Sequence, residues 1–204
     1  MSNEKATAAA RQPKPSISFD PQYIGRITGV LLAICLVVAL LLGVVNQITK
    51  PRIDAIEAEK VRLAMAQVLP AEEYVPVEAS LPKTVVSLSQ ARSGGQSIGW
   101  VAETTATGSQ GPITMMVGID PSGKITGVSI VSHSETPNIG TKVVADQSVL
   151  DRFTGMSHED GEITVNSGTN RFDGVSGATV SSRGVAAGVN AALDAVADLI
   201  VKEG

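Results

Sequence analysis

An apolar run between Arg26 and Lys50 constrains this chain more than any other feature. The run holds 23 uncharged residues, from Ile27 to Thr49. At 1.5 Å per residue, a helix of this length covers the hydrocarbon core of a bilayer, which is about 30 Å thick. A cleaved secretory signal has an apolar run of only about 7 to 15 residues followed by a small-residue cleavage site, and neither feature occurs here. The run therefore predicts one retained transmembrane helix.

The remainder of the chain is slightly polar, because the apolar run accounts for the positive mean hydropathy of +0.19. After Lys50 the chain carries 11 Lys and Arg against 18 Asp and Glu, a net charge of −7. Nucleic acid is therefore not an expected partner, since phosphate binding needs a basic face and base stacking needs aromatic side chains. Only four aromatic residues follow the run: Tyr74, Trp100, Phe153 and Phe172.

The charges that flank the run do not decide its orientation in the membrane. The positive-inside rule weighs Lys and Arg in the short segments on either side. One side has Arg11, Lys14 and Arg26, and the other has Lys50, Arg52, Lys60 and Arg62. The single cysteine, Cys35, lies inside the run, so cysteine usage does not indicate the redox compartment either.

The pattern after the run predicts an α+β domain in which helices flank an antiparallel sheet. Pro51 suits the first turn of a helix, and helix formers continue to Val68. We expect this stalk helix to pack an apolar stripe on the domain or on a partner helix. The stripe consists of Ile53, Ile56 and Leu63.

Strands are predicted at residues 84–88 and from Ile98, Ile113 and Ile125 onward. Turn residues at 93–95, 107–112 and 120–124 separate them, which is typical of an antiparallel meander.

The last third of the chain is predicted to add helices to this sheet. A helix is expected from Lys142 to Phe153, and a short strand at residues 162–165. Apolar residues at helical spacing predict a final helix from about Ser182, with Ser181 or Ser182 as its N-cap. The predicted division is a tail at 1–26, the transmembrane helix at 27–49, a stalk and lead-in at 50–95, and the main domain at 96–204.

The segment AspGlyValSerGlyAlaThr, residues 173–179, is rich in small and hydroxyl-bearing residues and directly precedes the predicted final helix. The free N–H groups and positive dipole end of a helix start favour a phosphate, and Arg183 adds positive charge. The local pattern fits equally a turn shaped by glycines and capped by a serine. A serine hydrolase is not expected, because GlyValSerGlyAla lacks the G-x-S-x-G elbow.

These residues resemble the D-x-x-S/T-G-A-T/S flavinylation motif of a family of FMN-binding domains. The family includes the G subunit of Rnf complexes and the C subunit of sodium-pumping NADH:quinone reductases. HisSerGluThrProAsnIleGly at 133–140 resembles the family's H-x-E-T-P-G-L-G loop, and residues 111–120 resemble its G-x-I-x-x-M-V-G-I-D strand. Asn138 and Ile139 stand where the family usually has Gly and Leu.

The resemblance implies a covalent FMN, attached through its phosphate to Thr179 by a separate flavin transferase that uses FAD and magnesium. It implies a phosphate loop of Ser176, Gly177 and Ala178, with Arg183 nearby. Residues expected along the flavin ring or ribityl chain are Glu135, Thr136, Ile139 and Gly140. Asp173 is expected to serve recognition by the transferase. No metal site and no catalytic acid or base are expected.

The resemblance further implies an electron-transfer subunit of a membrane-bound, ion-translocating ferredoxin:NAD oxidoreductase complex. Its partners are the other subunits and the membrane, and residues 51–204 are expected on the periplasmic or outer side of the inner membrane. Two alternatives stay open at this point. One is the C subunit of a sodium-pumping NADH:quinone reductase, and the other is a membrane-anchored module that binds or senses a phosphate-bearing ligand reversibly.

Overall fold

The computed structural model describes residues 21–77 and 81–203, so most of the predicted tail at 1–26 lies outside the described residues. The chain divides into two compact units, Met1–Ile53 and Asp54–Gly204. The second unit holds all of the strands in the described part of the chain. It therefore contains the α+β domain that the sequence predicts.

The apolar run lies in helix α1, Pro21–Val68, which is long and apolar enough to cross a membrane. The predicted helix start at Pro51 is wrong, because α1 continues through this residue. Proline removes one backbone hydrogen bond, and the helix formers that follow it continue the rest of the ladder. The predicted stripe of Ile53, Ile56 and Leu63 is exposed rather than packed on the domain.

Five antiparallel strands form one sheet in the order β1-β2-β3-β4-β5. Their bounds are Glu73–Pro76, Val85–Ser93, Gln96–Thr107, Pro112–Ile119 and Ile125–His133. This confirms the predicted meander and its turns. The β4–β5 turn closes through Gly123 N–H, which donates to the Asp120 carbonyl at 3.0 Å. Residue 96, the predicted start of the main domain, is the first residue of β3, and β1 and β2 precede it in the same sheet.

Helix α4, Thr179–Glu203, packs on one face of this sheet, where the larger of two apolar clusters lies. Its Val185, Val189 and Val196 are fully buried. The end of α1 packs on the other face, where Val68 contacts a smaller apolar cluster. Because both faces are covered, successive residues of β4 are buried without alternation.

The helix predicted from Lys142 to Phe153 is broken into separate turns. The structure has α2 at Thr141–Val144, α3 at Gln147–Leu150 and a 3-10 turn at Asp151–Phe153. Asp146 interrupts the helix because its carboxylate accepts the Ser148 N–H at 3.0 Å and caps α3. Beyond this region, β6 at Thr164–Val165 pairs in parallel with β7 at Arg171–Phe172.

Candidate functional site

The segment that joins β7 to α4 carries the predicted attachment residue, and polar contacts hold its start. Gly174 N–H donates to Asn166 Oδ1 at 2.9 Å. The Asp173 carbonyl accepts from the Arg152 guanidinium at 2.8 Å, and the exposed Asp173 carboxylate pairs with Arg171 Nε at 2.9 Å. These contacts fix the path of the chain as it leaves β7.

The turn before α4 is closed by its own backbone and by a serine of the helix. Gly177 has φ +80°, a left-handed conformation that glycine adopts without steric cost. Ala178 N–H donates to the Val175 carbonyl at 3.0 Å, and Val175 N–H donates to Ser182 Oγ at 3.2 Å. The turn therefore presents Thr179 as the first residue of α4, with its side chain exposed.

The predicted start of the final helix is therefore too late. Ser181 and Ser182 lie inside the first turn of α4, and neither is its N-cap. Ser182 Oγ accepts a hydrogen bond from the preceding turn, and Ser181 Oγ donates to Glu135. The prediction is wrong because both hydroxyls bond to groups outside the helix rather than to its free N–H groups.

A buried carboxylate lies behind the first turn of α4. Glu135 is 6% exposed, and its Oε2 accepts from Ser181 Oγ at 2.7 Å. Its Oε1 accepts from the backbone N–H of Ser109 at 2.7 Å and from that of Gln110 at 3.4 Å. This side chain joins the loop at 133–140 to the β3–β4 turn and to α4.

The loop after Glu135 folds back on itself. The Thr136 carbonyl accepts from the N–H groups of Ile139 at 3.2 Å and Thr141 at 3.4 Å. Asn138 has φ +62°, and its N–H donates to Thr141 Oγ1 at 2.8 Å. Asparagine tolerates this left-handed conformation better than most residues, so it can stand in place of the family's usual glycine and keep a glycine-like backbone.

These three segments enclose a cleft of about 220 Å³ around Thr179. Its lining residues are Ser109, Ile139, Gly177, Ala178, Thr179, Val180 and Ser181. Two apolar side chains flank the threonine and are open to solvent, Ile139 at 53% and Val180 at 57% exposure. The cleft thus combines a hydroxyl, free helix-start N–H groups and an exposed apolar surface.

Not every predicted site residue lines this cleft. Gly140 is buried behind it beside Glu135, and Ser176 is exposed on the preceding turn. Arg183 lines a different, more polar cleft, together with Glu162 and Asn190. The predicted roles of these residues stay predictions.

Ser109, which lines the cleft, was not among the residues predicted for the site. The predicted antiparallel meander could have indicated this residue. Ile113 at the start of β4 pairs with His133 at the end of β5. Antiparallel pairing of these strands therefore places the β3–β4 turn beside the loop that begins after β5.

Comparisons with known proteins identify relatives of this chain. Residues 108–194 match the family of FMN-binding domains. The G subunit of the ion-translocating oxidoreductase complex of Methanosarcina acetivorans is 30% identical over 184 residues, covering 87% of this chain and 96% of that protein. The G subunit of the Na(+)-translocating ferredoxin:NAD(+) oxidoreductase complex of Acetobacterium woodii is 26% identical over 206 aligned positions, covering 92% and 99%. Among solved structures, NqrC of Shewanella oneidensis is 21% identical with a TM-score of 0.48, covering 69% of this chain and 72% of that one.

The matched region contains the cleft from the β3–β4 turn through the first turns of α4. The relative from Methanosarcina acetivorans aligns across nearly its whole length. The chain belongs to the family of G subunits of ion-translocating oxidoreductase complexes, and residues 108–194 form its FMN-binding domain.

Proposed function

We propose that this chain is the membrane-anchored electron-transfer subunit of an ion-translocating ferredoxin:NAD oxidoreductase complex and carries FMN covalently on Thr179. The names of its relatives support the complex, and the family match supports the cofactor. The observation that carries the attachment site is the exposed Thr179 hydroxyl at the first position of α4, inside a cleft with apolar flanks.

The cleft fits the two chemical parts of an FMN group. The first N–H groups of the 25-residue helix α4 have no partner within the helix, and the dipole at this end favours an anionic phosphate. Ile139 and Val180 offer apolar surface on which a flat ring packs and excludes water. Outside α1, the described residues expose only one other large apolar side chain to a similar degree, Val86. The pair of exposed apolar side chains beside Thr179 is therefore unusual on the surface of this domain.

The attachment is a group transfer without oxidation or reduction. The Thr179 oxygen forms a bond to the phosphorus on the FMN side of FAD, and the bond from this phosphorus to the bridging oxygen breaks. AMP leaves with that oxygen, and the hydroxyl proton is released to base or solvent. The product is a threonyl phosphodiester, which the flavin transferase makes with magnesium.

Different residues around Thr179 would then hold the phosphate and the ring of the attached FMN. We assign the phosphate to the turn of Ser176, Gly177 and Ala178, with Arg183 adding positive charge near the helix start. Ile139 would pack on the ring, and Glu135, Thr136 and Gly140 would shape the wall behind it. Asp173, held on the surface by Arg171, would be recognised by the transferase.

The bound flavin supplies one- and two-electron transfer, so no protein acid or base is required for the chain's role. The sequence has no P-loop, no dinucleotide fingerprint and no iron–sulfur cysteine set. We therefore assign NAD, ferredoxin and the ion pathway to partner subunits.

A covalent bond is useful where a lost cofactor cannot be replaced. Free FMN is made in the cytoplasm, so a domain outside the membrane would not recover it after dissociation. We propose that α1 anchors the chain in the inner membrane and that residues 51–204 face the periplasmic or outer side. The Lys and Arg residues at the two ends of the span favour neither orientation, so they are compatible with this one.

The attachment is tested by expressing the full chain with its flavin transferase and inspecting denatured protein for flavin fluorescence on a gel. The wild-type chain should give a fluorescent band, and Thr179→Ala should abolish it. Thr179→Ser, which keeps a hydroxyl, and Ser167→Ala, at an exposed position that does not line the cleft, should both retain it. A wild-type chain without a band would contradict covalent attachment, and a band in Thr179→Ala would place it elsewhere.

The orientation is tested with single cysteines, because Cys35 is the only natural one. In a Cys35→Ser background, Ser167→Cys lies at an exposed position after the span, and Ser2→Cys lies before it. A membrane-impermeant maleimide added to intact spheroplasts should label the cysteine at 167 and not the one at 2. The reverse pattern would overturn the proposed orientation.

A further inference from the structure

Glu135 is unusual in this domain because it is a buried charged residue, and hydrogen-bond donors from the protein reach both oxygens of its carboxylate. Both oxygens accept hydrogen bonds, one from Ser181 Oγ and the other from the backbone N–H groups of Ser109 and Gln110. The ion pairs found in residues 21–77 and 81–203 involve other side chains. Burial of a carboxylate opposes folding unless hydrogen bonds compensate it, so these donors hold the group in place.

The donors belong to segments that form the walls of the Thr179 cleft. Ser109 in the β3–β4 turn and Ser181 in α4 both line the cleft, as does Ile139 from the loop that begins at Glu135. One side chain thus connects three walls that lie far apart in sequence. Ser181 is also two residues after Thr179, in the same helical turn.

The space around the carboxylate leaves little freedom for it to move. A methyl group added at Gly108 would overlap Glu135 Oε1, and one added at Gly140 would overlap Oε2. At Gly140 the added methyl would also lie 2.8 Å from Ser181 Oγ. Both glycines are therefore required for the backbone to close around the carboxylate.

We propose that Glu135 is the positioning residue for the attachment threonine. Through Ser181 it fixes the first turn of α4, and through Ser109 it fixes the opposite wall, so that the Thr179 hydroxyl faces the cleft in one orientation. This inference rests on the proposed attachment of FMN at Thr179. It assigns Glu135 an action through protein groups, without contact between its carboxylate and the transferred phosphate.

The test is the steady-state rate of flavin attachment to purified full chain by its transferase, with FAD and magnesium. Glu135→Ala removes the acceptor of all three hydrogen bonds, and Ser181→Ala removes only the link to α4. We expect kcat to fall by about 10- to 100-fold in Glu135→Ala, because a misplacement near 1 Å at a reacting group has such effects. Ser181→Ala should show a smaller loss in kcat, and KM for the chain should stay unchanged in both.

Glu135→Gln is the conservative variant. Its carbonyl can accept from Ser109 N–H and its amide can donate to Ser181 Oγ, so it should recover most of the lost kcat. Thr126→Val is the matched control, because Thr126 donates a comparable hydrogen bond to the Val68 carbonyl at 2.6 Å on the other face of the sheet. It should attach flavin at the wild-type rate even where its melting temperature falls.

The outcomes separate this inference from the proposed function. Absence of attachment in the wild-type chain would overturn the covalent site itself. Normal wild-type attachment with unchanged kcat in both Glu135→Ala and Ser181→Ala would overturn the positioning role alone. A rise in KM with unchanged kcat would also overturn it, because Glu135 would then serve docking of the transferase. If Glu135→Ala does not fold, Ser181→Ala and Glu135→Gln carry the same comparison.

Discussion

The two faces of the five-stranded sheet are covered by two helices in different ways. On the α4 face, Val185, Val189 and Val196 are fully buried, and the stacked rings of Phe153 and Phe172 extend the same cluster. On the opposite face, the end of α1 packs, and a smaller cluster around Val68 closes it. The extensive face is the one that holds Thr179, so the core fixes the helix that presents the candidate site.

Two glycines of α4 show where this helix lies close to the sheet. An added Cβ at Gly184 of α4 would lie 2.6 Å from the Thr107 carbonyl oxygen, at the end of β3. At Gly188, one turn later, it would first meet the flexible end of Met115 at 2.7 Å. The approach at Gly184 is therefore rigid and brings α4 against the strand that leads into the cleft.

The largest effect is expected for Gly184→Ala. Alanine favours a helix over glycine by about 1 kcal/mol, so open space at this position would give a stabilised variant. Contact with the rigid Thr107 carbonyl reverses the sign, and we expect a net loss of about 3 kcal/mol in the free energy of unfolding. Urea unfolding of the chain in detergent, followed by the buried Trp100, measures it.

Gly188→Ala is the control for this variant, because Met115 can change rotamer. It should lose less stability than Gly184→Ala. Equal stability of the two variants, or a gain in Gly184→Ala, would contradict the close approach of α4 to β3.

An intermediate effect is expected for a matched pair of truncations, one on each face. Val189→Ala and Val68→Ala remove the same two methyl groups from side chains that are 0% and 3% exposed. Val189 is enclosed by the larger cluster, so its variant should lose about 2 kcal/mol against about 1 kcal/mol for Val68. Equal losses in urea unfolding would show that the two faces are packed alike.

The smallest effect is expected for Tyr74→Phe, on the α1 face. The Tyr74 hydroxyl donates to the Leu69 carbonyl at 2.8 Å, and its loss should cost about 0.5 to 1 kcal/mol. Burial raises the pKa of the Tyr74 phenol above its ordinary value. The folded chain therefore holds this proton more tightly than the unfolded chain, and its contribution is complete below about pH 10 and lost as pH rises through the folded pKa.

Tyr74→Phe should lack this part of the alkaline decline in stability. Melting temperatures of both chains between neutral pH and the alkaline range provide the measurement. Parallel profiles for the two chains would exclude Tyr74 as a source of the decline.

Local patterns in the sequence predicted strands β2 to β5 of the sheet, but not β1. Turn residues such as Gly123 fix where the hairpins close, and the strands between them alternate or run apolar over a few residues. The break at Asp146 was not predicted, because helix periodicity continues across it while one carboxylate caps a new turn. Such competition between side chain and backbone is decided by local energies that spacing does not reveal.

The candidate site was predictable only in part, because local patterns do not reveal contacts between distant segments. Motif resemblance identified Thr179 and the loop at 133–140, and the structure places Thr179 and Ile139 in one cleft. The link from Glu135 to Ser181 spans 46 positions, and nothing in either segment alone indicates it. Local pattern therefore predicts a capping role for the hydroxyls of the first turn, although one of them anchors a distant loop.

The proposed covalent site at Thr179 is tested most directly by the intact mass of the full chain, purified after expression with its flavin transferase. We predict a mass above that of the polypeptide by one FMN less one water, with fragment ions assigning the addition to Thr179. The mass of the unmodified polypeptide, or an addition on any other residue, would contradict the account.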